Sequence, residues 1–327
     1  MKYITQKRLL SYLVLIFSFP SCLFAQKIDN LFEDSDFQKG FTVVSIEKGK
    51  QGILNFNKSN SVDVPFWTLC QHYSRYNIAE SPIQFISDNI AEYKNEGKRV
   101  RLERNEANET ILFLDVYADQ EYQKTRKLNE PWPHLLISHD FPFSERLNFS
   151  KTQSFEFSMD VRIGDCQNLM SSDDYDPALH CAQTTAYFVI VNDSPNSPDY
   201  QDYIWFGVPI FDSRYEIIEP YAELDGDPKI LGTGKLIYTL GGKEIFDKLY
   251  DHKNPKNHEW VHLQVNLLDY IPSALETAQK RGLLTQTSLS DLNFAHFNLG
   301  WEVPGGFRCS MEIKNIKLSA DLKNDVK

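Results

Sequence analysis

The chain has 327 residues, 24% of them charged and 13% aromatic, and a formal net charge of −11. Such acidity excludes nucleic acid as a partner, since phosphate neutralisation needs a basic face and only short clusters, Lys98-Arg99-Val100-Arg101 and Lys124 to Lys127, are basic. Anionic polysaccharides are disfavoured at long range for the same reason, unless an Arg or Lys cleft acts locally.

At the amino terminus Lys2, Lys7 and Arg8 precede an apolar run from Leu9 to Phe19, followed by Ser21, Cys22 and LFAQ. This is the layout of a secretory signal peptide over residues 1–25, and the run is too short for a membrane span. Ser21 before Cys22 also partly resembles a lipoprotein acylation site, so a lipid anchor at Cys22 stands beside soluble export. Either route predicts an extracytoplasmic location: periplasmic, secreted or anchored at the cell surface. Losing the three amino-terminal cations takes the charge from −11 to −14. No later stretch is long and apolar enough to cross a bilayer. No linker, charge block or repeat divides residues 26–327, so a single domain is expected there.

Strand-like segments recur from FTVVSIE onward. RVRLERNE and TILFLDVYA flank a short polar turn and read as a hairpin, preceded by a helical signal at DNIAEYKNEG with Asp88 as cap and Gly97 as stop. WPHLLISHDF, with Trp132, His134 and His139, reads as a turn into an edge strand because of Pro131 and Pro133. SFEFSMDVRI, TAYFVIVN, YIWFGVPIFD, KLIYTL, WVHLQVNLL, HFNLGWEV and CSMEIKNIKLSA complete the strands. IPSALETAQKRGLL is the clearest helix, with Pro272 at its start and Gly282 at its end. Many strands with one or two short helices predict an all-β, antiparallel β-sandwich.

Three strands divide cleanly into an apolar and a polar face. In WVHLQVNLL, Val261, Leu263, Val265 and Leu267 oppose Trp260, His262, Gln264 and Asn266; in HFNLGWEV, Phe297, Leu299 and Trp301 oppose His296, Asn298 and Glu302. In SFEFSMDVRI, Phe155, Phe157, Met159 and Val161 oppose Glu156, Ser158 and Asp160. The polar rows are either solvated faces or, jointly, a surface where Trp260 stacks on a sugar and the amides, histidines and Glu302 bind its hydroxyls. The shared core places His262 and Gln264 on one face with His296 and Glu302.

YIWFGVPIFDSRYE puts Tyr203, Trp205 and Phe211 on one face and Asp212 on the other. Arg214 follows, either paired with Asp212 or free to hold a substrate carboxylate. In ALHCAQTTAY, His180 and Tyr187 are of the types that serve as base and acid in β-elimination at a uronate, with Gln183 or Arg214 stabilising the developing charge; a satisfied loop histidine is the favoured reading of His180. A carboxylate pair for glycoside hydrolysis would join Glu302 to Glu156 or Asp160. Asp173, Asp174 and Asp176, and Asp225 and Asp227, offer oxygen ligands for Ca²⁺ without completing a calcium loop, and no other cofactor is implied.

Cys70, Cys166, Cys181 and Cys309 form an even set. Cys166 and Cys181 flank the loop DCQNLMSSDDYDPALHC and are the pair that sequence proximity favours, beside free buried thiols. Zinc is disfavoured, because no C-x-x-C spacing exists.

The closing run GWEVPGGFRCSMEIKNIKLSA, a strand, a glycine turn and a final strand, together with the strand count over residues 40 to 320, resembles the concanavalin A-like jelly-roll group. That group contains secreted glycan-binding modules, glycoside hydrolases and polysaccharide lyases. The resemblance implies a jelly roll with a glycan or polysaccharide as partner. Neither the E-x-D-x-E strand of the group's hydrolases nor the Y-x-K-x-G strand of several of its lyases occurs, so binding, lyase, hydrolase and structural or adhesive roles all remain open.

Overall fold

A computed structural model describes residues 26–58, 64–226, 232–247 and 258–324. The leader-like segment, Cys22 and Asp227 lie outside these residues. The strands in chain order are β1 (Lys27–Ile28), β2 (Phe41–Ser45), β3 (Gly49–Leu54), β4 (Trp67–Cys70), β5 (Gln84–Ser87), β6 (Ile90–Lys94), β7 (Lys98–Arg104), β8 (Thr110–Tyr117) and β9 (His134–Asp140). They continue with β10 (Thr152–Asn168), β11 (Gln183–Asn192), β12 (Tyr203–Asp212), β13 (Tyr221–Leu224), β14 (Leu236–Thr239), β15 (Val261–Asn266), β16 (Leu292–Glu302) and β17 (Phe307–Leu322). Helix α1 spans Ala118–Glu121 and α2 spans Ile271–Lys280.

They build the two-sheet sandwich that the alternation predicts. An eight-stranded sheet runs β15-β10-β17-β8-β7-β6-β5 with β1 beside β17, and a nine-stranded sheet runs β13-β14-β12-β11-β16-β9-β4-β2-β3. Pairing is antiparallel except at β2–β4 and β12–β14, which are parallel. The inward halves of the strands meet as one apolar core: Phe157 of the first sheet lies 5.2 Å from Phe188 and 5.6 Å from Phe297 of the second, ring to ring. Trp301 is fully buried, and its indole N–H donates to the Leu114 carbonyl of the opposite sheet at 2.9 Å. Burying an indole therefore leaves no unpaired donor.

Helix α2 forms where Pro272 and Gly282 delimit it; Ile271, Ala274, Leu275 and Ala278 face the core, and Gly282 takes φ +79° just beyond the last turn. The hairpin of β7 and β8 also forms as expected.

Four expectations are corrected. DNIAEYKNEG is not helical: Ile90–Lys94 is β6, with Glu92 opposite Arg101 and Lys94 opposite Arg99. Sheet pairing overrides a segment too short to sustain a helix alone. WPHLLISHDF forms not an edge strand but β9, between β16 and β4, because both prolines precede the ladder and cost it no donor. A register shift in the β11–β12 ladder, between Thr184 and Thr185, turns Phe211 inward against Trp301, so Asp212 shares the outward face with Tyr203 and Trp205. Cys166 lies opposite Cys309, not Cys181, because β10 runs antiparallel beside β17.

Candidate functional site

The outward face of the nine-stranded sheet carries one polar row across four neighbouring strands. His134 of β9 stands opposite Glu302 of β16, Glu302 opposite Gln183 of β11, and Gln183 opposite Asp212 of β12. Each side chain points outward because its strand neighbours, Leu135, Trp301, Thr184 and Phe211, point into the core.

The row is joined by hydrogen bonds. The Gln183 amide donates to Glu302 Oε2 at 2.9 Å, and Arg214 approaches Gln183 Oε1 at 3.5 Å. Asp212 and Arg214 form a two-pronged pair, Nε to Oδ1 at 3.0 Å and a terminal nitrogen to Oδ2 at 2.6 Å. Arg214 is therefore paired at the strand end, the first of its two expected roles, and its charge is balanced. On the other side, His134 Nδ1 donates to the Trp132 carbonyl at 2.9 Å, leaving Nε2 as an acceptor 3.8 Å from Glu302 Oε1. Burial pushes the His134 pKa below its ordinary value despite the neighbouring carboxylate, so the ring stays neutral. Trp132 stacks on His134 at 5.7 Å between ring centres, and His72 lies 5.6 Å away.

Glycines shape the floor. A side chain at Gly300, between Leu136 and Thr185, would meet the Leu135 carbonyl at 2.1 Å, so the gap in the β16 polar row is where two backbones approach closely. A Cβ at Gly207 would meet the Tyr187 ring at 2.8 Å, so glycine lets that ring lie over β12. The Tyr187 hydroxyl meets that of Tyr221 at 3.0 Å, and burial, reinforced by Tyr221 and Glu302, pushes its pKa well above the usual phenol value. It remains a protonated donor. Beside the row opens a cavity of about 390 Å³, whose lining includes Gln183, Thr185, Asp212, Arg214, Tyr215, Glu219, Tyr221 and Thr239. Tyr215 and Tyr221 stand at its rim, 48% and 40% exposed.

Of the residues singled out from sequence, the structure gathers Glu302, Gln183, Tyr187 and Arg214 here. Asn298 lies on the same face opposite Tyr187, whereas His296 is six residues from Glu302, about 20 Å along the strand, and pairs with Asp140 at 2.6 Å. His180 is not at the site. It is buried, accepts from the Asp176 N–H at 3.0 Å and donates to the Arg126 carbonyl at 2.9 Å, holding a loop.

Trp260, His262, Gln264 and Asn266 are on the other sheet, because β15 pairs with β10; they face solvent on the opposite side of the sandwich. There His262 pairs with Asp160 at 2.7 Å and Gln264 donates to Glu156 at 3.3 Å, while Arg162 and Lys314 both approach the Trp260 ring, at 5.0 and 5.2 Å. The Asn266 side chain accepts from the Phe155 and Leu268 N–H groups, a turn-forming role. Glu156 and Asp160 are likewise in the eight-stranded sheet, so neither joins Glu302 in a carboxylate pair. The Asp173 to Asp176 stretch forms a turn in which Asp174 and Asp176 accept from Ser171 and Ala178; among the described residues no three His, Cys, Asp or Glu gather for a metal.

His134, which the sequence places in an expected edge strand after Pro133, completes the row. The signal that finds it is the alternation His134, Leu136, Ser138, Asp140 after the last proline.

No protein-family model matches the chain, and no curated protein matches it. Among solved structures it is similar to a family 12 xyloglucanase from Bacillus licheniformis, at 10% identity and a TM-score of 0.39 over 73% of this chain and 97% of that one. A cellulase derived from the Cel12A of Rhodothermus marinus overlaps at 9% identity and a TM-score of 0.37, over 78% and 100% of the two chains. The family 11 xylanase from Neocallimastix patriciarum overlaps at 7% identity and a TM-score of 0.31, over 75% and 97%. These overlaps are partial, and the functional reading rests on this chain's own side chains.

Proposed function

We propose that the protein binds a neutral glycan on the outward face of the nine-stranded sheet, centred on Glu302 and Gln183, without cleaving it. The observation that carries this reading is the convergence of two acceptors, Glu302 Oε1 and His134 Nε2, 3.8 Å apart, beside a cavity with exposed tyrosines at its rim. Sugar hydroxyls are donors that suit such acceptors, and tyrosine rings offer apolar faces to a pyranose. The charge balance favours a neutral ligand: Asp212 neutralises Arg214, His134 is uncharged, and Glu302 would repel a uronate.

The enzymatic alternatives fit less well. A glycosidase needs two working carboxylates; along the row Asp212 is held in a two-pronged pair by Arg214, so a hydrolase would have to join Glu302 to Glu219, which lines the neighbouring cavity. A lyase would use Tyr187, whose proton is held tightly, and His180, which is buried elsewhere. The leader-like layout of residues 1–25 supports an extracytoplasmic address, where such polymers are met.

Affinity electrophoresis on neutral and uronate-bearing polysaccharides tests the reading. Retention on a neutral polymer is expected, with no reducing ends released and no absorbance rise near 235 nm. Lack of retention on every neutral polymer overturns it. Reducing ends released by the wild type but not by Glu302→Gln would establish a hydrolase instead.

A further inference from the structure

Cys166 of β10 and Cys309 of β17 are directly opposed in an antiparallel ladder, and their sulfurs lie 3.3 Å apart as free thiols. Opposed residues in such a ladder have Cα atoms about 4.5–5.5 Å apart, within the span that a disulfide accepts. The other described cysteines have different neighbours: the Cys70 sulfur meets the Ser138 hydroxyl at 3.4 Å, and Cys181 meets Gln183 Oε1 at 3.8 Å. Cys309 is only 3% exposed, whereas Cys166 is partly open to solvent.

We propose that Cys166 and Cys309 are joined by a disulfide in the working protein and that Cys70 and Cys181 remain thiols. The reaction is a thiol–disulfide exchange with an oxidised dithiol oxidoreductase or oxidised glutathione. The Cys166 thiolate, the more accessible, attacks a sulfur of the donor, forms a mixed disulfide and expels one donor thiolate. Cys309 then loses its proton and attacks the Cys166 sulfur, closing the bond and releasing the second donor thiolate. Two protons and two electrons leave the protein, and the donor disulfide becomes two thiols. The bond would fasten the start of β17 to the end of β10. Beside it, the Leu169 N–H donates to the Gly306 carbonyl at 2.9 Å and the Cys181 N–H to the Pro304 carbonyl at 2.9 Å, so the tether braces the loop leading into Gln183.

The test is peptide mapping of full-length protein made by an exporting host and alkylated under denaturing conditions before any reductant. A peptide pair linking Cys166 to Cys309 is expected, with Cys70 and Cys181 directly alkylated. Alkylation of all four, or a link from Cys166 to Cys181, overturns the proposal. Reductant should lower the melting temperature of the wild type by roughly 5–10 °C and leave Cys166→Ser unchanged. An equal fall in both would also overturn it. The wild-type measurement stands even where the variant folds poorly.

Discussion

Glu302 and Gln183 face each other across the β16–β11 ladder, and the single 2.9 Å bond between them fixes which carboxylate oxygen faces His134. Gln183→Ala frees that carboxylate to rotate and removes one hydrogen-bonding group from the ligand's reach. Glycan affinity should fall about tenfold, the loss of one hydrogen bond of roughly 1–1.5 kcal/mol, with melting temperature little changed. Isothermal titration on the polymer that retains the wild type reads the change. Unaltered affinity would move the site away from this row.

Glu302→Gln separates binding from chemistry. The amide keeps the shape of the carboxylate and can still offer an oxygen to hydroxyl donors, so affinity should stay within about threefold, less than the worth of one hydrogen bond. A uronate polymer should be retained more strongly by the variant, because the repelling charge has gone. Salt-dependent electrophoresis distinguishes the two effects.

Much of the fold was legible because period-two alternation reports which half of each strand is buried. It worked for β10, β15 and β16 alike. The site was less legible, because alternation assigns a face within a strand and not a sheet to the strand. Trp260 to Asn266 and His296 to Glu302 both turn outward, yet their apolar partners enter the same core from opposite sides. The faces of Phe211 and Asp212 are not legible from alternation, because a single register shift reverses every face beyond it.

Lys98 and Glu121 form a buried pair at 3.3 Å, each 1% exposed, that ties β7 to α1 and to the 74–76 turn. Glu121→Ala strips the ammonium of its counter-charge and should destabilise the protein by about 3–5 kcal/mol. Lys98→Met should cost less, since Glu121 keeps donors from the Ser74 hydroxyl and the Arg75 N–H, both at 2.7 Å. The double variant Lys98→Met/Glu121→Leu should recover much of the loss. Urea denaturation of all three gives the order, and equal single effects with no recovery would contradict it.

Acid should destabilise the fold between about pH 6.5 and 4. Burial pushes both His72 and His139 down to about 4, whereas an unfolded histidine takes its proton near 6.5. Within that window the unfolded chain binds more protons, so stability is lost as the pH falls. Asp115, pushed up to about 6 by burial, has the opposite sign: its contribution is lost as pH rises through 6. His72 and His139, joined by the buried His134, outweigh Asp115 and the smaller opposing shifts of Glu33 and Asp34, leaving a net loss on the order of 3 kcal/mol by pH 4.5. His139 packs among Phe32, Trp67 and Phe141 and accepts from the Glu33 N–H at 3.3 Å, so His139→Phe should flatten the acid limb. Urea midpoints from pH 4.5 to 7.5 measure it; stability rising on acidification would refute the assignment.

Trp260→Ala tests which side of the sandwich meets the ligand. The indole packs against both Arg162 and Lys314 on the eight-stranded sheet, the other face of the molecule from Glu302. Its removal should cost about 0.5–1 kcal/mol of stability for each of the two cation–π interactions and leave glycan affinity unchanged. Tyr221→Ala, at the cavity rim, should weaken binding by roughly 1–3 kcal/mol, as truncation of an aromatic anchor does. The contrast matters because Arg162 is also held by Glu312, and Lys314 by Glu109 at 2.8 Å, so the Trp260 face is a closed network of charges with little left to offer a neutral sugar. If titration shows Trp260→Ala losing affinity while Tyr221→Ala keeps it, the ligand sits on the eight-stranded sheet and the row from His134 to Asp212 is a structural network.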